Sequence, residues 1–205
     1  QFNAFPPGDV RYTPTVDEQI ADLNAAKLDQ ARAFHSRFYG TNHAQLAIVG
    51  DFDGDEIAKL AAELFGSWKS AASYARIRQP YRTHAAKELR IETPDKANAY
   101  FVAGMNIALN DRNPDYPAIL LADQIMGGPP GNRLWQRVRD KDGVSYAIGT
   151  GLDVAREDDN TSFRVGAIYA PENVDKLLGG VREELARGRS EGFDGSEFSA
   201  FRDGL

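Results

Sequence analysis

The chain has 205 residues, is 42% hydrophobic and 26% charged, and carries a net charge of −6; this is enough apolar content for one sizeable core, and the interspersed charges form no basic face of the kind that engages nucleic-acid phosphates. It contains no cysteine, which excludes disulfides, thiolate zinc sites and cysteine nucleophiles. No apolar run approaches the roughly 20 residues that cross a bilayer as a helix.

In chain order, residues 1–14, QFNAFPPGDVRYTP, are rich in proline and turn formers and read as an irregular lead-in. Thr15 followed three residues later by Glu18 predicts a capped helix start. Leu28, Ala31, Phe34 or His35, and Phe38 recur at helical spacing and predict a second helix over about 28–39. AQLAIVGDF (44–52) reads as a short apolar strand. After it, Asp53, Asp55 and Glu56 stand where a helix start favours negative charge, and Gly66 stands where a helix end favours glycine.

Residues 67–85 read as a polar connection, with Arg76, Arg78 and Arg82 as solvated linker charges. ELRIET and NAYFVAGMNIAL predict two strands joined as a hairpin through PDKA. DYPAILLADQIMGG and NRLWQRVRDKDG predict two helices separated by GGPPG, and VSYAIGTGLDVA and TSFRVGAIYA a hairpin around REDDN. A long amphipathic helix then opens at Pro171, and a last helix starts near Gly195. Paired strands joined by short turns, with helices between the pairs, predict an α+β fold: an antiparallel sheet with helices packed on one face. The chain begins with Gln1 and stops inside the last helix at Leu205. It is therefore expected to be a single domain, 1–205, excised from a longer chain and truncated in that helix.

The histidines offer no metal site. His35, His43 and His84 include no i, i+4 pair, and neither HxxEH nor HExxH occurs. DFDGDE (51–56) resembles the start of a calcium loop, but glycine stands fourth and Ala62 occupies the place of the bidentate glutamate, so capping aspartates at a helix start explain the same letters. GGPPG lacks the lysine and preceding strand of a phosphate cradle and reads as a turn between helices. No Ser/His/Asp set can be assigned.

Two longer stretches remain. FHSRFYGTNHAQLAIVGDFDGDEIAKLAAELFGSW resembles a hallmark of the insulinase-type (M16, inverted-zincin) metallopeptidase family: a helix ending in an aromatic and a small-polar turn, a strand ending in Gly-Asp, and a helix with a Phe-Gly-x-Trp-like tail. GGPPGNRLWQRVRDKDGVSYAIGTG resembles the second hallmark, a helix carrying Arg-Leu, a leucine- or valine-Arg step, a turn and a Gly/Ser-x-Tyr strand. Together they carry the resemblance from about residue 12 to the C-terminus.

The resemblance implies a protein built from homologous α+β halves that close like a clamshell around a peptide. One half carries zinc on an HxxEH helix. The other supplies chamber walls and, in many members, an Arg/Tyr pair seven residues apart that reaches the substrate. Arg139 and Tyr146 match that pair. The chain thus looks like the C-terminal-type, zinc-free half. It is expected to be inactive alone, to bind peptide substrate through Arg139 and Tyr146, and to pair with an HxxEH-bearing catalytic domain or subunit that holds the zinc.

The residue types suit such chemistry, because a carbonyl attacked by hydroxide develops negative charge on its oxygen. Tyr146 offers a neutral O–H and Arg139 a permanently charged fork of five N–H donors. Arg133 is expected to pair with an acid as scaffold, whereas Arg137 is open to either role. The competing expectation is a proteolytically inactive scaffold or assembly subunit of the same fold, which has no need of the Arg139/Tyr146 pair. The compartment is left open, a periplasmic one being compatible with the absence of cysteine.

Overall fold

The computed structural model describes residues 5–204. Contacts divide the chain into two compact units, with the boundary after Ile77. Of the expected lead-in, residues 1–4 lie outside the described residues, and the rest consists of turns, with Asp9 N–H donating to Pro6 O and Tyr12 N–H to Asp9 O.

The first unit contains α1 (Val16–Ala25), α2 (Leu28–Phe38) and α3 (Gly54–Phe65). The Thr15 hydroxyl accepts from Glu18 N–H while the Glu18 carboxylate accepts from Thr15 N–H, the reciprocal cap expected from the sequence. Asp53 accepts from the backbone N–H groups of Asp55 and Glu56, so DFDGDE is a helix cap. The Thr41 hydroxyl, 2.6 Å from Phe65 O and 2.7 Å from Trp68 O, ties the loop after α2 to the end of α3.

The strand expected over 44–52 does not form. This stretch forms no regular element and, among the described residues, has no ladder partner, and Leu46, Ile48 and Val49 stay exposed. An apolar run supplies β propensity only. A strand also needs a neighbour that accepts its backbone hydrogen bonds and covers one of its faces.

The second unit holds β1 (Ala99–Ile107), α4 (Tyr116–Gly127), a π-helical segment (Trp135–Lys141), β2 (Ser145–Asp153), β3 (Thr161–Tyr169), a 3-10 turn (Pro171–Asn173), α5 (Val174–Glu191) and α6 (Gly195–Arg202). The three strands form one antiparallel sheet in the order β1-β3-β2. The β2–β3 hairpin is as the sequence predicts.

The hairpin expected between ELRIET and β1 is not. PDKA does turn, with Lys96 N–H donating to Thr93 O, yet 88–93 forms no ladder, and all nine residues of β1 pair with β3 from Ala99–Tyr169 to Ile107–Thr161. A turn fixes a reversal of the chain; register follows whichever neighbour completes the buried face. β3 does so here, aligning Phe101 with Ala167 and Ile148 on the covered side.

That side carries the core. Ile148, Val165 and Ala167 of the sheet meet Met126 of α4, Leu134 and Val138 of the π-helical stretch and its entrance, Val144, and Leu177 and Val181 of α5. Each buried aliphatic side chain of this kind contributes about 1.5–3 kcal/mol. The fold is α+β, and in the second unit helices cover one face of the antiparallel sheet. The opposite face is open: Tyr100, Val102 and Ile168 are exposed, and Gly149 and Gly166, paired across β2 and β3, leave it shallow.

Candidate functional site

The site begins with the turn from the π-helical segment into β2. Asn132, fully buried, holds the entrance: its side-chain N–H₂ donates to Gly128 O and Pro129 O, and its side-chain oxygen accepts from Trp135 N–H. GGPPG is therefore a turn braced by Asn132. Leu134 and Val138 anchor the segment in the core, which turns Arg139 outward to a half-buried position. The segment is wound wider than an α-helix, with Asp142 N–H reaching back to Arg137 O. Gly143, at φ 64°, takes the left-handed conformation that reverses the chain.

At the start of β2 the pairing skips a residue. Ser145 opposes Tyr169 and Ala147 opposes Ile168, so Tyr146 sits in a bulge. The Ser145 hydroxyl points inward, 2.8 Å from both Ile168 O and Ala147 O. Tyr146 is 79% exposed. Bulges re-aim side chains in this way next to binding sites and at sheet edges.

The structure brings Arg139 and Tyr146 together. The Arg139 guanidinium carbon lies 5.3 Å from the Tyr146 ring centroid and 4.0 Å from that of Trp135. Both distances fall within cation–π reach. Among the described residues, no carboxylate pairs with Arg139. Trp135 was not singled out from the sequence, although its place four residues before Arg139 on one helical face was the available signal.

The neighbouring arginines are occupied. Arg133 donates from Nε to Glu197 at 2.5 Å and from Nη2 to Glu197 at 2.6 Å and to Gly192 O at 2.9 Å, with the Phe193 ring beneath it. This is the scaffold ion pair expected of Arg133. The paired carboxylate pushes the Arg133 pKa up, and the guanidinium holds Glu197 below the usual carboxylate range. Arg137 bonds to Asp142 and, at 2.8 Å, to Glu183 of α5, linking the turn to that helix. Lys176 adds a bond to Asp142 O at 2.9 Å.

Beyond Tyr146 the open sheet face forms a shallow groove of about 500 Å³, lined by Tyr100, Val102, Ala147, Gly149, Arg164 and Gly166 among others. The close approach that closes the other side of β2 depends on Gly127, where a Cβ would stand 2.5 Å from Thr150 N. Among the described residues, no group of three or more His, Asp or Glu could hold a metal ion. His35 stacks on Tyr39 and Trp68, and His43 lies against Tyr74. No helix among the described residues is long and apolar enough to cross a membrane.

Residues 25–205 match the family described as the peptidase M16 inactive domain. The chain is 23% identical over 180 residues to an uncharacterized zinc protease of Mycobacterium leprae, covering 87% of this chain and 40% of that protein. Its fold resembles the crystal structure of a peptidase M16 inactive domain from Pseudomonas fluorescens, with TM-score 0.72 and 25% identity over 88% of this chain and 43% of the other. It also resembles a protease from Helicobacter pylori, with TM-score 0.70 and 17% identity over 90% and 45% of the two chains. The chain spans about 40% of the length of the curated relatives it matches. With the family match running over most of its length, the chain belongs to the peptidase M16 inactive-domain family.

Proposed function

We propose that this chain is the substrate-contacting, chamber-forming half of a zinc endopeptidase acting on peptides, and that it works with a catalytic half bearing HxxEH. The observation that carries the reading is the Arg139/Tyr146 pair: stacked, turned away from the core, and with the guanidinium unpaired by any carboxylate among the described residues. An arginine serving only as scaffold is held as Arg133 and Arg137 are, by acids that consume its donors. Relatives named as zinc proteases support the reaction class.

Zinc bound in the partner half would supply a hydroxide nucleophile and polarise the scissile carbonyl. The residues of this chain bind and orient. Arg139 holds a substrate carbonyl or carboxylate through its charged N–H donors, and Tyr146 O–H donates where negative charge grows on the scissile carbonyl. The shallow groove from Ala147 across Gly149 and Gly166 admits an extended peptide main chain beside the pair.

The test is reconstitution. A partner carrying HxxEH is mixed with this chain, and cleavage of a quenched fluorescent peptide is followed with and without chelator. Hydrolysis that needs both halves and stops on chelation is expected. Hydrolysis by the isolated chain, or none by the complete assembly, would overturn the proposal; the second outcome would favour an inactive scaffold.

A further inference from the structure

We infer that Trp135 is a positioning residue for Arg139: its indole face fixes the guanidinium plane so that the N–H donors at the rim of that plane meet an oxygen acceptor of the peptide. The inference rests on the reading that Arg139 contacts substrate. Three arginines follow one another at positions 133, 137 and 139, and the first two are clamped edge-on by acids, Arg133 by Glu197 and Arg137 by Asp142 and Glu183. The third lies over aromatic rings, its guanidinium carbon 4.0 Å from the Trp135 ring centroid and 5.3 Å from that of Tyr146.

The two modes have opposite consequences for binding. A carboxylate consumes the donors it restrains, whereas an aromatic face restrains the group while leaving all five N–H donors free. The backbone that carries the indole is itself fixed, since the Trp135 backbone N–H donates to the side-chain oxygen of the fully buried Asn132 at 2.8 Å. Restraint therefore runs from the core through Asn132 and Trp135 to the guanidinium. An arginine ordered before the peptide arrives does not lose its rotamer freedom on binding.

The test uses the full-length protein with its zinc-bearing half and four variants: Trp135→Phe, Trp135→Leu, Arg139→Ala, and Trp135→Leu with Arg139→Ala. Trp135→Leu is expected to lower kcat/KM on the order of tenfold, and Trp135→Phe, which keeps an aromatic face, by about threefold or less. In the Arg139→Ala background, Trp135→Leu should have no further effect. The Arg139 Nε–H proton resonance of arginine-labelled protein should carry an upfield ring-current shift that disappears in Trp135→Leu. An unchanged resonance, full activity in Trp135→Leu while Arg139→Ala is impaired, or an equal loss from Trp135→Leu with and without Arg139 would each overturn the inference. If Arg139→Ala alone leaves kcat/KM intact, the substrate reading fails in that arm and takes the inference with it, even if the resonance shift survives to show the stacking.

Discussion

Glu197→Ala tests how the frame behind the site is held. In the native chain Glu197 accepts two charge-assisted bonds from Arg133, at 2.5 and 2.6 Å, and the two side chains are 9% and 21% exposed for Arg133 and Glu197 respectively. Removing the carboxylate leaves Arg133 its bond to Gly192 O and the face of Phe193, while Nε loses its acceptor and Nη1 already has none among the described residues. Stranding one member of a buried pair costs about 3–5 kcal/mol; Glu197 lies at the edge, where water reaches the vacated space, so the expected loss is about 2–3 kcal/mol. Urea unfolding is the assay, followed by Trp135 fluorescence in a Trp68→Phe background. With a slope of roughly 1–3 kcal/mol per molar, the midpoint should fall by about 1–2 M. Glu197→Gln, which keeps an acceptor for Arg133 and for Asp194 N–H, should fall by less. Arg133→Met with Glu197→Gln should cost less than the sum of the two single changes, since an apolar replacement leaves no stranded charge. A midpoint shift below about 0.2 M for Glu197→Ala would refute the claim that this pair fastens α6 to the segment carrying Arg139.

The remaining expectations concern pH and packing. Arg133 depresses the Glu197 pKa, so the pair's contribution is complete above the unfolded glutamate value of about 4.3 and is lost as pH falls through the lower folded value; the stability gap between wild type and Glu197→Gln should close on acidification in that window. Asp123 behaves oppositely. Burial raises its pKa, and its Oδ1 has no partner among the described residues, so its contribution is greatest at low pH and is lost as pH rises through the folded value. Asp123→Asn should therefore raise the thermal midpoint near pH 7 and lose that advantage below about pH 4. Gly127→Ala would drive a methyl group to 2.5 Å from Thr150 N, and urea unfolding should register a loss of about 1–3 kcal/mol.

Local signals were legible in the sequence because they need only neighbouring residues. Thr15 with Glu18, Asp53 ahead of α3 and the β2–β3 hairpin all stand where spacing put them. The α+β class followed from the order of elements. Pairing was less legible: nothing in ELRIET or AQLAIVGDF states which strand accepts its hydrogen bonds, and β1 joined β3 instead of its sequence neighbour. Register and winding were hidden for the same reason. The bulge at Tyr146 and the wide turns of Trp135–Lys141 answer to the buried Leu134, Val138 and Ser145, whose partners lie on other elements. The family resemblance, not spacing by itself, singled out Arg139 and Tyr146, and the three-dimensional contact added Trp135.

The most direct measurement is steady-state peptide cleavage by the proposed assembly of this chain with an HxxEH-bearing half, carrying Tyr146→Phe or Arg139→Ala. Tyr146→Phe removes one oxygen, so kcat should fall on the order of 10²-fold. Arg139→Ala should lower kcat/KM by a comparable factor, with a raised KM if the guanidinium holds the substrate equally before and during reaction. Turnover and KM unchanged in both variants would contradict a substrate-contacting role for this half.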